Sequence, residues 1–257
     1  MHVADPKLPP LFTGHGVKAP TEPRDYAVAG ARHGELGAGD VVWARTTKAV
    51  RLAFVLEPDV PVRRIAEIRV LLQTAIIDSL GVLMPEQTAI QFGWPNAIHC
   101  NGAKVGETVF VCADVSSDDV HPTWAVASVS IDLSRDLDGL EPGLVKAETS
   151  LEEEDGGHLN RTEVIEALSA HFMSAIYRWE HDGVRSLVDH WKGYLFGISE
   201  PAEIEVPEPA GEGLTKVTGQ IIGVGDDLEL FINTNDHGVV VLPDPLLRAA
   251  LTSEPNA

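Results

Sequence analysis

The chain has 257 residues, 44% of them hydrophobic, and its 39 acidic against 19 basic side chains give a formal charge of −20. That length and apolar share suit one large core with a small appendage. The charge argues against nucleic acid and anionic membranes as partners, because long-range repulsion precedes any contact. No apolar run reaches the length of a membrane span, and the start, Met1 to Lys7, lacks the basic and apolar regions of a secretory signal. Two cysteines, Cys100 and Cys112, read as free thiols in a reducing compartment, so the expected location is the cytoplasm.

In chain order, a proline-rich lead-in reaching Pro23 precedes a short helix over 25–32, which Gly34, Gly37 and Gly39 break. Strands follow over 41–44 and 50–56. A helix is predicted over 62–80, with Ile65, Ile68, Leu72, Ile76 and Leu80 on one stripe, Arg63, Arg64 and Arg69 off it, and Gly81 as its stop. Strands are then expected over 89–94, 97–100, 105–112 and 124–133. The acidic run Glu152 to Asp155 reads as a solvated loop. Asn160 and Glu163 form a capping-box start for a helix that carries Val164, Leu168, Phe172 and Ile176 on one face. Another helical piece covers 182–192. From Glu200 the prolines and glycines through Gly213 read as a linker, and short runs over 217–224, 228–232 and 239–242 form a small β module.

The chemistry concentrates between Phe92 and Cys112. Asn101-Gly102 between two β-prone runs is the strongest short hairpin signal, and it places Lys104 at the start of the second strand. A cation fixed on a rigid strand among apolar neighbours suits a carboxylate or an α-phosphate on which negative charge develops. The hairpin alone favours a solvated lysine beside a turn, and the order and context of the neighbouring residues bring the two readings level.

Trp94-Pro95-Asn96, Asn101-Gly102 and Lys104, in this order and spacing, resemble the centre of the biotin/lipoate protein ligases, whose lysine just past the turn faces an acyl-adenylate. The element order is similar as well, and Gly219 to Leu230 resembles a hairpin of that family's appendage. The resemblance implies an α+β fold: a mixed sheet with packed helices over 1–199, then a small SH3-like β domain over 200–257. It implies Lys104 as the catalytic residue and Trp94, Pro95, Asn96, Gly102, Gly106, Arg45 and Lys48 as substrate-binding residues. It further implies biotin, lipoate or octanoate as the acid, ATP and Mg2+ as helpers, the acid's adenylate as an intermediate and a biotinyl or lipoyl carrier domain as acceptor. A homodimer is compatible with it.

Departures accompany the matches. The family's long Gly/Arg-rich loop, which holds the adenylate phosphate and keeps water from a labile anhydride, is replaced by Arg45-Thr46-Thr47-Lys48-Ala49. Gly93 stands where a lysine often precedes the Trp-Pro-Asn run, and Ala97 stands where an acidic residue follows it. Arg45, Lys48 and Arg51 offer cations near the shortened loop. Neither cysteine sits in the acyl-accepting motif of the related octanoyltransferases. The histidines lack paired metal spacing, so no structural metal is expected, and neither a Walker-type run nor a Gly-x-Ser-x-Gly elbow occurs. Two readings stand: an acyltransferase that passes a short acid to a carrier lysine, and a non-catalytic relative that binds a small acid, a nucleotide or a carrier domain.

Overall fold

The computed structural model describes residues 4–135, 147–207 and 214–242. Its larger sheet has seven strands in the order β1 (Thr13–Val17), β2 (Asp40–Ala44), β3 (Ala49–Leu56), β7 (Ala125–Asp132), β6 (Ala103–Cys112), β5 (Ala97–Cys100) and β4 (Ile90–Gly93). β1 runs parallel to β2, and every other pairing in this sheet is antiparallel. Helices α2 (Ala66–Leu83), α3 (Arg161–Asp182) and α4 (Arg185–Lys192) bury one face, where Leu52, Phe54, Ala127, Val129 and Ile131 meet Ile68, Leu72, Ile76, Leu168 and Phe172. Helix α1 (Pro23–His33) covers part of the other, setting Ala27 and Ala31 on Val42, Ala53, Val55 and Val126. The α+β mixed sheet expected from the sequence is the fold observed, and a smaller antiparallel sheet follows it, ordered β11 (Gly238–Leu242), β10 (Leu230–Thr234), β9 (Leu214–Val224), β8 (Pro201–Pro207). No described helix is long and apolar enough to cross a membrane.

Several elements depart from expectation for identifiable reasons. A 3₁₀ turn over Val62–Arg64 precedes α2, which runs through Gly81 and stops at Met84, because a residue before proline is pushed out of the helical region and Pro85 follows. α2 is also not one-sided. It is wedged between the sheet and two helices, so Arg69 is 1% exposed, its guanidinium 6.0 Å from the centre of the Trp191 ring. β1 was not anticipated; Thr13-Gly14-His15-Gly16-Val17 has little β-propensity and is held as an edge strand. β8 lies in the stretch read as a linker. Its two prolines occupy the ends of an edge strand, where a missing N–H donor is tolerated. The acidic run is tied down as well: Glu153 takes two hydrogen bonds from Arg135 at 2.9 and 3.2 Å, and Glu154 takes one from Asn101 at 2.6 Å. The Arg135 pairing depresses the Glu153 carboxyl below its ordinary pKa.

The capping box forms as predicted. The Asn160 side chain accepts from the Thr162 and Glu163 backbone N–H groups, and Glu163 accepts in return from the Asn160 N–H.

A buried polar network locks the layers together. Gln73 on α2 is wholly buried; its Oε1 accepts from the Trp191 indole N–H on α4 at 2.7 Å, and its Nε2 donates to the Pro95 carbonyl at 3.1 Å and to Thr108 Oγ1 at 3.2 Å. Thr108 Oγ1 donates onward to the Asn96 carbonyl at 3.3 Å. The small sheet shares this core: Ile221, Val224, Leu230 and Ile232 belong to the same buried cluster as Phe92 and Ile98. Replacing Gln73 by Leu strands the Trp191 N–H and the Pro95 carbonyl in an apolar interior, and is expected to cost roughly 2–4 kcal/mol in urea denaturation. Trp191→Phe added to that variant should cost less than it does alone.

Candidate functional site

Helix α1 stops short of β5 and β6, so part of the sheet face opposite α2 stays open. Two adjoining hollows of about 300 and 270 Å³ occupy this area and share Arg51, Glu107 and Ser130, making one continuous groove. The N-terminal turn of α1, with Glu22, Pro23 and Arg24, walls one end, and Lys104, Asp132 and Glu148 wall the other.

The β5–β6 hairpin delivers the lysine. Asn101 at φ 49° and Gly102 at φ 88° both take left-handed conformations, the pattern of a two-residue primed turn that fits strand twist. A bulge follows, since Ile98 faces Gly106 while His99 faces Lys104. Lys104 Nζ lies 2.8 Å from Glu107 Oε2, and both side chains are well exposed. Arg51 on β3 pairs with Glu22 at 2.7 Å. Each of these two cations thus already holds a protein carboxylate. Asp132 on β7 sits half-buried beside them. Burial pushes its carboxyl pKa up, against the pull of Arg51, Arg135 and Lys104.

Of the residues singled out from sequence, the structure brings Lys104 and Gly106 to the groove, with Arg51 beside them. Gly106 also has a packing role, because any Cβ there would collide with the Ser130 carbonyl of β7. Gly102 lies at the hairpin tip, its carbonyl 3.4 Å from His99 Nδ1. The Trp94-Pro95-Asn96 turn is directed elsewhere. Trp94 is 7% exposed and its indole N–H donates at 3.4 Å to the carbonyl of Leu228, in the turn between β9 and β10. The carbonyls of Pro95 and Asn96 serve the Gln73 and Thr108 network. Arg45 is paired with Asp5 at 2.7 Å and donates to the Gly16 carbonyl, away from the groove. Lys48 closes the β2–β3 connection, its carbonyl accepting from the N–H groups of Leu133 and Ser134. Sequence reasoning passed over Glu22, Glu107, Ser130 and Asp132. The signal for the last two was present: alternation along β7 puts Ser128, Ser130 and Asp132 on one polar stripe.

His99 stacks on Phe196 with ring centres 4.0 Å apart, and burial, opposed by the Gly102 carbonyl, lowers its pKa. Cys100 and Cys112 are free and buried, and their thiols are pushed to about 12 and about 11 by burial, so neither is an available nucleophile at neutral pH. Among the described residues no cluster of three or more His, Cys, Asp or Glu could hold a metal ion.

The biotin/lipoate A/B protein ligase family model matches residues 8–193. The chain belongs to that family. It is 21% identical over 196 residues to the bifunctional ligase/repressor BirA of Bacillus subtilis, an alignment spanning 76% of this chain but only 57% of that relative. Among solved structures, a biotin protein ligase-like protein of unknown function from Silicibacter sp. TM1040 superposes with a TM-score of 0.79 at 26% identity, covering 96% of this chain and 99% of the other. Biotin protein ligase from Aquifex aeolicus gives 0.68 at 14% identity, covering 90% and 95%. That likeness concerns the fold.

The geometry predicts a trade between stability and charge at Asp132. Its folded-state pKa lies above the unfolded value, so its favourable contribution exists at low pH and is lost as pH rises through the folded-state pKa. Asp132→Asn should therefore raise the melting temperature at pH 7, and the gain should shrink as the pH falls through the carboxylate range. Calorimetric scans across that range check the sign.

Proposed function

We propose that the groove beside Lys104 binds a short carboxylic acid or its activated form, and that the protein passes this acyl group to a lysine of a biotinyl or lipoyl carrier domain. The observation that carries the reading is the placement of Lys104: a primed turn and a bulge hold it at the rim of the open groove, with Arg51 on the same face. Family membership supports a ligase-like chemistry, and the Aquifex enzyme has a structure in complex with biotin and ATP. A bound acid exchanges for Glu107 on Lys104 and for Glu22 on Arg51. Lys104 then faces the charge that develops on the acyl oxygen during transfer.

The β2–β3 connection favours a second reading. β2 ends at Ala44 and β3 begins at Ala49, so only residues 45–48 join them, and none is glycine. Backbone N–H groups in glycine-rich loops are what usually cradle phosphates, and these residues do not fit a triphosphate in that manner. A protein that binds an acid or carrier without adenylating it, or that takes an acid activated elsewhere, agrees with this short hairpin.

Lys104→Ala should abolish acid binding and leave folding intact, since an exposed lysine rarely contributes more than about 0.5 kcal/mol to stability. Titration calorimetry with biotin, lipoate and octanoate, each with and without ATP and magnesium, reads the binding. Pyrophosphate release on mixing would establish adenylation; binding without it would favour the second reading. Unchanged affinity in the variant would remove Lys104 from the site.

A further inference from the structure

Lys104 stands where its strand runs past the rest of the sheet. The ladder between β6 and β7 begins at Gly106, so β7 does not reach beside Lys104. The segment 147–149 takes that place. The Lys104 N–H donates to the Ala147 carbonyl at 3.0 Å, and the Lys104 carbonyl accepts from the Thr149 N–H at 2.8 Å, a parallel bridge centred on Glu148. On its other side Lys104 faces His99 of β5.

One carboxylate ties this added segment to the tip of the hairpin. Glu154 Oε1 accepts from the Thr149 hydroxyl at 2.7 Å, and Glu154 Oε2 accepts from Asn101 Nδ2 at 2.6 Å. The Asn101 amide is oriented for this contact, because its Oδ1 already accepts from the Ala89 N–H at 2.9 Å. The contacts close a circuit: Lys104 to Thr149, Thr149 to Glu154, Glu154 to Asn101, and Asn101 back to Lys104 through the turn. Hydrogen bonds to an ionised carboxylate are the strong ones. Asp155, next in the chain, holds a left-handed backbone at φ 65°, an unfavourable state for a residue other than glycine that persists where its surroundings enforce it.

A lysine ammonium rides on a flexible four-carbon stem, and the exposed pairing with Glu107 is too weak to fix it. The reach of Lys104 is therefore set by its main chain, which this circuit holds from the side that β7 leaves open. Resting on the reading of the groove as an acid site, we propose that Glu154 is a positioning residue for Lys104: it locks the added segment to the hairpin tip, so that the lysine meets its ligand already ordered. Glu154 lies outside the lining of the groove and acts through Asn101 and Thr149. Without it, ordering of the tip accompanies ligand binding and weakens it.

The test uses the full chain in three variants, Glu154→Ala, Glu154→Gln and Thr149→Val, the last keeping the shape of a side chain that is 4% exposed. Amide hydrogen exchange read by NMR and titration calorimetry with biotin, lipoate and octanoate supply two readouts. Glu154→Ala and Thr149→Val each open the circuit, so the Lys104 N–H should exchange at least about tenfold faster while the amides of α2 exchange as in the native protein. The acid that the native protein binds most tightly should bind roughly fivefold more weakly or worse. The double variant should lose no more than either single one, since the circuit opens only once. Glu154→Gln should recover most of the loss, because the Thr149 hydroxyl can turn to accept from the new amide while Asn101 still donates to its oxygen. A merely structural glutamate would speed exchange throughout the fold and leave the affinity of the folded protein unchanged. Native exchange at Lys104 in Glu154→Ala, or additive losses in the double variant, would overturn the proposal. If none of the three acids binds the native protein, the acid reading of the groove falls, and hydrogen exchange alone decides whether Glu154 holds Lys104.

Discussion

The structure depends on a single buried amide. Gln73 lies in the middle of α2, and its three hydrogen bonds reach α4, β6 and the turn between β4 and β5. An amide in an apolar interior loses several kcal/mol unless its donors and acceptor are matched. The arrangement of Trp191, Thr108 and Pro95 is therefore dictated: any packing that displaces one of them leaves a polar group unpaired. Hydrophobic burial brings α2 to the sheet without fixing its position along the strands, and the Gln73 network supplies that register. Since β6 carries Lys104 and Glu107, the same amide sets where the groove's charges stand relative to the helices behind them.

The groove itself follows from an asymmetry between the two faces of one sheet. One face is crowded by α2, α3 and α4, and its strand residues are large and apolar. The other is covered by α1 only over β2, β3 and part of β7. The uncovered remainder is lined by side chains that tolerate water. Charge complementarity, satisfied internally by the Arg51–Glu22 and Lys104–Glu107 pairs, keeps this surface from being a purely repulsive acidic patch. Exposed pairs of this kind are weak, which lets a ligand exchange for one partner at little cost in stability.

Much of the scaffold was legible in the sequence because it is written in local signals. Asn101-Gly102 specified a turn with two left-handed residues, Asn160 with Glu163 specified a helix start, and the Val164, Leu168 and Phe172 spacing specified the face that α3 buries. The misreadings arose where tertiary context outweighs local pattern. Arg69 reads as surface and is buried because three elements surround α2. Trp94 reads as a ligand contact through the resemblance of Trp94-Pro95-Asn96 to the family's run, and in the structure the small sheet packs over it. Asp132 and Ser130 were legible as part of a polar stripe but not as site residues, since polar alternation on a strand marks an uncovered face equally well whether that face meets bulk water or a ligand.

The four-residue link between β2 and β3 bears on time as well as on chemistry. Four residues are too few to fold across the groove, so this connection cannot close over a ligand, and entry past it needs no movement of the β2–β3 hairpin. Where binding waits on no such movement, differences in affinity appear chiefly as differences in dwell time.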